Sequence, residues 1–297
     1  MIYIIGALFI GLFIFLFTRE SEKAKLERFK REYQISKGDM QNIDFFDVVS
    51  ERLAYSLDNA LQTFDTAQLN LEFRIQYPRL SQKQVNEYWR ELKRYFILVA
   101  IFKKVEMFHS KVDELWHLML KDEKNYERFC QEYIGSKIQH ISHSQPTFKP
   151  TERTFFDFCY VQLFTVDKVS LRIWGKFFKE DKGKQFLDDF ETLSISSLKE
   201  KYMRTQTSLE AEETFIKFHK RFIEINEANV KRWKDKYNET IDAGPAYFAY
   251  IDAGESDKEF NEVFGQDSHG NTSDSSTHSD NHDSGSSCSS CSSCSSS

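Results

Sequence analysis

Apolar residues recur every three or four positions along most of this 297-residue chain, which is the spacing of helices with one buried face. Such stripes predict helices over residues 43–64, 81–102, 112–133, 155–178 and 207–237. Helix breakers are scarce, with four glycines and three prolines between residues 38 and 241. We therefore expect a mostly α domain with bundle-like packing over residues 38–251.

Residues 69–77 depart from the helical pattern. Apolar and polar residues alternate from Leu69 to Tyr77, as in a strand with one buried face, and Pro78 ends the alternation. The prediction for this segment is a single strand for which the sequence offers no partner.

Capping residues predict where individual helices begin and end. Ser81 with Gln84, and Ser110 with Asp113, have the spacing of an N-terminal capping box. Gly135 stands where the left-handed residue that ends a helix is expected.

The first 18 residues form an uncharged apolar run. A helix over residues 1–18 reaches about 27 Å, close to the thickness of a bilayer core. A cleaved signal peptide is the alternative, but no Lys or Arg precedes the run, and the bulky Phe15, Leu16 and Phe17 occupy its end. The pattern favours an uncleaved transmembrane anchor at the N-terminus.

A basic juxtamembrane helix is expected over residues 19–37, which contain seven Lys and Arg residues. Because cationic flanks stay in the cytoplasm, this places the body there, at a plasma membrane such as a bacterial inner membrane. Leu26, Phe29 and Tyr33 have helical spacing, which fits a helix along the lipid headgroups or an ordinary helical stalk.

Charge divides the chain into a nearly neutral body and an acidic tail. Residues 252–297 hold nine acidic residues and one basic residue. The whole chain has a net charge of −6, so 39 basic and 37 acidic residues remain in the body. A body so close to neutral gives no electrostatic reason to expect a nucleic-acid partner. The Ser- and Cys-rich tail is too polar to form a core, and we expect it to be disordered.

Side chains that could bind a metal ion concentrate in one region. They are His109, Asp113, His117, His140 and His143. Imidazole nitrogens and carboxylate oxygens are usual ligands of Zn²⁺, so this group could supply three or four ligands to a divalent ion. Asp113 and His117 are four residues apart and share one helix face. Each residue also has a structural interpretation, as a helix-capping carboxylate or as a hydrogen-bonded or solvated histidine. No other cofactor is predicted.

Two further metal interpretations are weaker. Glu106 with His109, and Glu114 with His117, have the Glu-x-x-His spacing of di-iron bundles. These pairs lie about 12 Å apart along one helix axis, whereas a di-iron site takes them from facing helices. Residues 288–294 contain three cysteines with ligand-like spacing but no fixed fourth ligand, and we expect them to belong to the flexible tail.

A motif of nine residues follows the second capping pattern. It comprises Ser110, Val112, Asp113, Trp116, His117, Tyr126, Phe129, Cys130 and Gly135. With this motif, residues 85–146 resemble the glycine-rich domain-containing protein-like family, whose pattern ends in a compact His-His-x-Pro. Here His140, His143 and Pro146 are spread out. The resemblance implies kinship in this region and assigns no biochemical activity.

Two functions fit the sequence. The first is a non-catalytic, membrane-anchored helical interaction module that faces the cytoplasm and binds an unidentified protein partner. The second is a metal-binding protein or metal-dependent enzyme that uses Asp113 and His117. The first is favoured because structural roles account for every candidate ligand, whereas convergence of those ligands in three dimensions would favour the second.

Overall fold

The computed structural model describes residues 21–40, 43–140, 149–175, 177 and 185–237. Within these ranges the chain forms eleven α-helices, a 3₁₀ turn over Lys37–Met40 and two isolated β-bridges, without a strand. The helices are α1 (Glu22–Ser36), α2 (Glu51–Leu61), α3 (Thr66–Gln76), α4 (Gln82–Ile101), α5 (Ser110–Leu120), α6 (Glu123–Ile134), α7 (Pro150–Leu163), α8 (Lys168–Trp174), α9 (Gln185–Thr192), α10 (Ile195–Tyr202) and α11 (Leu209–Tyr237). The prediction of a mostly α fold is confirmed for the described residues.

Helix α4 lies at the centre of the fold. It packs against α1, α2, α3, α5, α8 and α11, and every side chain from Glu91 to Ile101 is buried. The predicted capping box begins it, because the Ser81 hydroxyl accepts the Gln84 backbone N–H and the Gln84 side chain accepts the Ser81 backbone N–H. A helix that is surrounded on all sides must find partners for its polar groups within the protein.

A buried ionic network provides those partners. Glu91 and Arg94 are both fully buried, and they form an ion pair of 3.3 Å. The second carboxylate oxygen of Glu91 accepts hydrogen bonds from the Tyr160 hydroxyl at 2.5 Å and the Trp174 indole at 2.6 Å. Arg94 also donates to the Ile43 carbonyl at 2.6 Å. The network therefore ties α4 to α7, to α8 and to the segment that precedes α2.

Two groups of aromatic rings fill much of the core. The first lies among α4, α7, α9 and α11 and comprises Phe102, Phe155, Phe158, Phe186, Phe190, Phe215, Phe218 and Phe222. The second lies where α4 meets α5 and α6 and comprises Phe64, Phe96, Trp116, Tyr126, Phe129 and Tyr133. Burying one such side chain stabilises the fold by roughly 1.5–3 kcal/mol, so the rings provide much of the force that packs the helices.

The predicted strand at residues 69–77 is wrong, because this segment is helix α3. The Asp65 side chain caps the helix by accepting the Gln68 backbone N–H at 3.0 Å. Leu69 and Phe73, one helical turn apart, are buried, whereas Ile75 is 51% exposed. The burial follows the helical period, and the alternation in the sequence does not reflect a strand.

Several predicted helices are shorter than their apolar stripes. The stripe at 43–64 becomes a helix only from Glu51. The stripe at 112–133 divides into α5 and α6, because Asp122 caps a new helix by accepting the Asn125 backbone N–H. The stripe at 155–178 divides into α7 and α8, and Asp167 caps α8 in the same way. The final stripe is one long helix, α11, as predicted.

The predicted transmembrane anchor is contradicted. Among the described residues, none of the helices combines the length and the apolar character needed to cross a bilayer. The same finding contradicts the expected location, which was a single-pass plasma-membrane protein with a cytoplasmic body. Residues 1–18, on which that prediction was based, lie outside the described residues, as does the acidic tail at 252–297. Helix α1, predicted as a juxtamembrane helix, packs against α3 and α4 through the buried Phe29 and Tyr33.

Candidate metal centre

Helix α5 places two of the predicted ligands on one face. Asp113 and His117 lie one turn apart, and the Oδ2 of Asp113 is 3.7 Å from the Nε2 of His117. The inward face of the same helix carries Val112, Leu115 and Trp116, which are buried. This packing fixes the helix, so that the carboxylate and the imidazole are held at the edge of the core.

A reversal of the chain after α6 brings in the third ligand. Gly135 ends α6 with φ of 75°, a left-handed conformation that glycine adopts without strain. The chain then returns along α6, where the Ile138 backbone N–H donates to the Cys130 sulfur at 3.4 Å. As a result the Nε2 of His140 lies 2.7 Å from the Oδ1 of Asp113.

The three side chains converge as metal ligands would. One potential ligand atom from each of Asp113, His117 and His140 lies within 4.8 Å of the others, and no other group of three such residues among the described ones does so. Tetrahedral Zn²⁺ with bonds of about 2.0–2.1 Å keeps its ligand atoms about 3.3 Å apart. Small rotations of these side chains would reach that geometry. Two histidines and one carboxylate form the open type of site, which leaves at least one position for water or substrate.

The cluster opens into a pocket. The pocket has a volume of about 430 Å³, and its walls include all three candidate ligands together with Tyr95, Glu106 and Lys149. The exposed fraction of the side chain is 10% for His140, 28% for Asp113 and 38% for His117. An ion held there would be anchored on the protein side and reachable from the pocket. A second cavity, of about 540 Å³ between α1, α2, α3 and α4, contains none of the candidate ligands.

A hydrogen-bond relay through Tyr126 holds the backbone segment that carries His140. The Trp116 indole N–H donates to the Tyr126 hydroxyl at 3.0 Å, and that hydroxyl donates to the Ile138 carbonyl at 2.8 Å. Burial holds the pKa of Tyr126 far above its ordinary value, so the hydroxyl remains a donor. The Trp116 ring also meets the His140 ring edge-on, with centroids 4.4 Å apart. Such outer contacts orient metal-binding histidines.

The other predicted ligands are not part of this cluster. His109 is the N-cap of α5, where its Nδ1 accepts the Val112 backbone N–H, and its ring stacks on Tyr88. Burial lowers the pKa of His109, which favours the neutral form that this cap requires. The second capping box is therefore wrong, since Ser110 is the first helical residue and His109 caps it. His143 lies outside the described residues.

Sequence reasoning missed three residues that shape the site. Tyr126 and Trp116 were assigned only to the motif and the core, although aromatic residues with a polar tip usually find a partner when buried. Glu106 was considered only for a di-iron site, and it instead lines the pocket with its Oε1 at 2.9 Å from the Lys149 Nζ.

Cys130 is buried and burial raises its pKa, which favours the thiol over the thiolate that binds metals.

Comparison with known proteins adds one similarity. A family model described as UCP032817-like matches residues 55–151, about a third of the chain. The matched residues run from α2 to the start of α7 and include Asp113, His117 and His140. No curated protein and no solved structure matches the chain. The resemblance to the glycine-rich domain-containing protein-like family remains a prediction.

Proposed function

We propose that this protein binds one divalent metal ion, with Zn²⁺ as the best-fitting species, through Asp113, His117 and His140. The observation that carries the proposal is the convergence of these three side chains within 4.8 Å. Asp113 and His117 are neighbours on α5, whereas His140 comes from the segment after α6. Closeness in sequence therefore does not explain the position of His140. Their nitrogen and oxygen donors suit Zn²⁺, and the open side of the cluster suits a site that also binds water or a substrate.

The structural alternative is that Asp113 and His140 form only an ordinary hydrogen bond. Two features favour the metal. The first is that His117 brings a third potential metal ligand to the cluster, although a hydrogen bond between Asp113 and His140 does not require it. The second is that the centroids of the His117 and His140 rings lie only 4.5 Å apart. A single metal ion can be shared by two imidazoles at this separation, each of which binds it through a ring nitrogen.

Metal stoichiometry tests the proposal. The full chain is prepared with Cys288, Cys291 and Cys294 replaced by Ser, so that the tail thiols supply no ligand. After equilibration with Zn²⁺ and desalting, we expect one bound zinc per chain by mass spectrometry of the metal. The variants His117→Ala and His140→Gln should lose it.

A matched control separates ligand loss from general damage. His219 lies on α11 and its Nε2 meets the Phe190 carbonyl at 3.1 Å, away from the cluster. His219→Ala should therefore retain one zinc. The proposal fails if the parent chain binds no zinc, or if His140→Gln retains as much zinc as His219→Ala while circular dichroism shows both folded.

A non-catalytic interaction module remains a second candidate. It requires an exposed apolar surface for a partner. The large apolar side chains exposed in the described ranges are Ile35, Tyr55, Ile75, Leu209 and Ile216, which are spread over four helices. The metal centre is favoured because its residues converge.

A further inference from the structure

We propose that the pocket beside the metal centre binds an organic phosphate monoester, with the phosphate group between the metal ion and Lys149. This inference rests on the proposed function, because the metal supplies part of the attraction. It names the class of ligand that the open side of the metal centre accepts.

The charge of the pocket walls favours an anion. The lining includes four cationic residues, Lys103, Lys104, Lys149 and Arg204, and two carboxylates, Glu106 and Asp113. Glu152 pairs with Lys104 at 3.1 Å and offsets one of these charges. The region of the pocket therefore carries a surplus of about one positive charge from its Lys, Arg, Asp and Glu residues, and a bound divalent ion adds two more. A surplus of this size in a partly closed pocket favours a dianion over a monoanion.

Lys149 is the cation best placed to contact a ligand. Its side chain is 23% exposed, and its Nζ lies 2.9 Å from the Glu106 Oε1. Lys104, at 3.8 Å from the same oxygen, is 60% exposed and so is more strongly screened by water. Arg204 already donates to the carbonyls of Lys137 and Gln206, and it contributes mainly through its charge.

Part of the remaining wall is apolar. Val99, Phe102, Val105 and Phe108 line the same pocket. A volume of about 430 Å³ lies within the range of small-molecule sites and exceeds what a bare phosphate needs. Contact with these walls would stabilise the organic part of an ester, so a monoester should bind more tightly than inorganic phosphate.

Three probes test the class of ligand on the zinc-loaded full chain with the tail cysteines replaced. They are phenyl phosphate, benzoate and inorganic phosphate, titrated by calorimetry. We expect phenyl phosphate to bind most tightly, since benzoate lacks the second charge and inorganic phosphate lacks the ring.

Two charge-removing variants test the role of Lys149. Lys149→Gln should raise the Kd of phenyl phosphate about tenfold, because a charge-assisted hydrogen bond is lost. Lys30→Gln is the matched control, since Lys30 pairs with Glu27 on the exposed face of α1, and it should leave the Kd unchanged.

The outcomes separate this inference from the metal proposal. If zinc binds at one per chain but benzoate or inorganic phosphate binds as tightly as phenyl phosphate, the monoester inference is overturned and the metal proposal stands. If Lys149→Gln and Lys30→Gln bind phenyl phosphate with the same Kd, the monoester inference is likewise overturned and the metal proposal stands. If the chain takes up no zinc, the metal proposal fails first, and this inference fails with it.

Discussion

The Nε2 of His140 lies 2.7 Å from the Oδ1 of Asp113, across 27 residues of sequence. This contact joins the segment after α6 to the first turn of α5. Since the other carboxylate oxygen of Asp113 faces His117, one carboxylate connects two imidazoles. The site is therefore assembled from two elements whose relative position depends on the packing of α5 against α6.

His109 should have a structural role and no part in metal binding. His109→Ala removes the acceptor that caps α5, and we expect a loss of about 1 kcal/mol in the free energy of unfolding. His109→Asn should recover most of that loss, because Asn is a good N-cap. Urea unfolding measures both changes. Zinc stoichiometry should remain at one in each variant, and loss of zinc from His109→Asn would make His109 a ligand and contradict this assignment.

Tyr126 should position His140 without touching the metal. Tyr126→Phe leaves the Ile138 carbonyl and the Trp116 indole without their shared partner, so the segment that carries His140 is held less firmly. We expect the Kd for zinc to rise about tenfold, as for other outer-contact substitutions. A competition titration with a chromophoric chelator measures the Kd.

Tyr133 provides the control for that substitution. Its buried hydroxyl donates to the Phe96 carbonyl at 3.3 Å, outside the relay. Tyr133→Phe should therefore cost about 1 kcal/mol of stability and leave the zinc Kd unchanged. If both variants weaken zinc binding equally, Tyr126 acts only through overall stability.

Local signals in the sequence predicted much of the helical framework. The capping box at Ser81 and Gln84 and the left-handed Gly135 depend on neighbouring residues alone, and both are found. The segment from Leu69 to Tyr77 was mispredicted because apolar residues at every second position include a helical pair at i and i+4. The cap at Asp65 was the signal that distinguishes the two.

The candidate site could be predicted only in part, because local signals in the sequence determine the position of only some of its residues. The spacing of Asp113 and His117 places them on the same face of any helix that contains both residues. The position of His140 depends on the turn at Gly135 and on the Tyr126 relay, which are contacts between elements. The sequence did not separate His109 from the three residues that converge, because a ring nitrogen that caps a helix and one that binds a metal look alike in sequence.

The buried pair of Glu91 and Arg94 should be costly to break. Glu91→Gln leaves the fully buried guanidinium without its counter-charge, and we expect a loss of about 3–5 kcal/mol in the free energy of unfolding. Glu132→Gln is the control, because Glu132 pairs with Arg128 on the surface, and it should cost under about 0.5 kcal/mol. Similar losses for the two variants in urea unfolding would contradict the structural role of the network.

Asp167 should make stability depend on pH in the acidic range. Burial raises its pKa, but hydrogen bonds from Arg90 and from the Ser170 backbone N–H outweigh burial and hold the pKa well below its ordinary value. A depressed folded-state pKa contributes stability that is present above the unfolded-state pKa of about 3.9 and is lost as pH falls through the folded-state pKa.

The variant Asp167→Asn isolates this contribution. At pH 7 it should be less stable by about 1–2 kcal/mol, since the carboxylate is partly exposed and its ion pair is partly screened. The difference between the two proteins should shrink as the pH falls below about 3.9. Thermal unfolding at a series of pH values measures it, and a difference that stays constant down to pH 2 would argue against the charge of Asp167 as its cause.

The position of a bound zinc ion tests the metal centre most directly. Anomalous diffraction at the zinc edge, from crystals of the zinc-loaded full chain, locates the ion without reference to the protein atoms. The account predicts a peak about 2.0–2.2 Å from one nitrogen each of His117 and His140 and from one oxygen of Asp113. A fully loaded crystal with no peak between these three residues would contradict it.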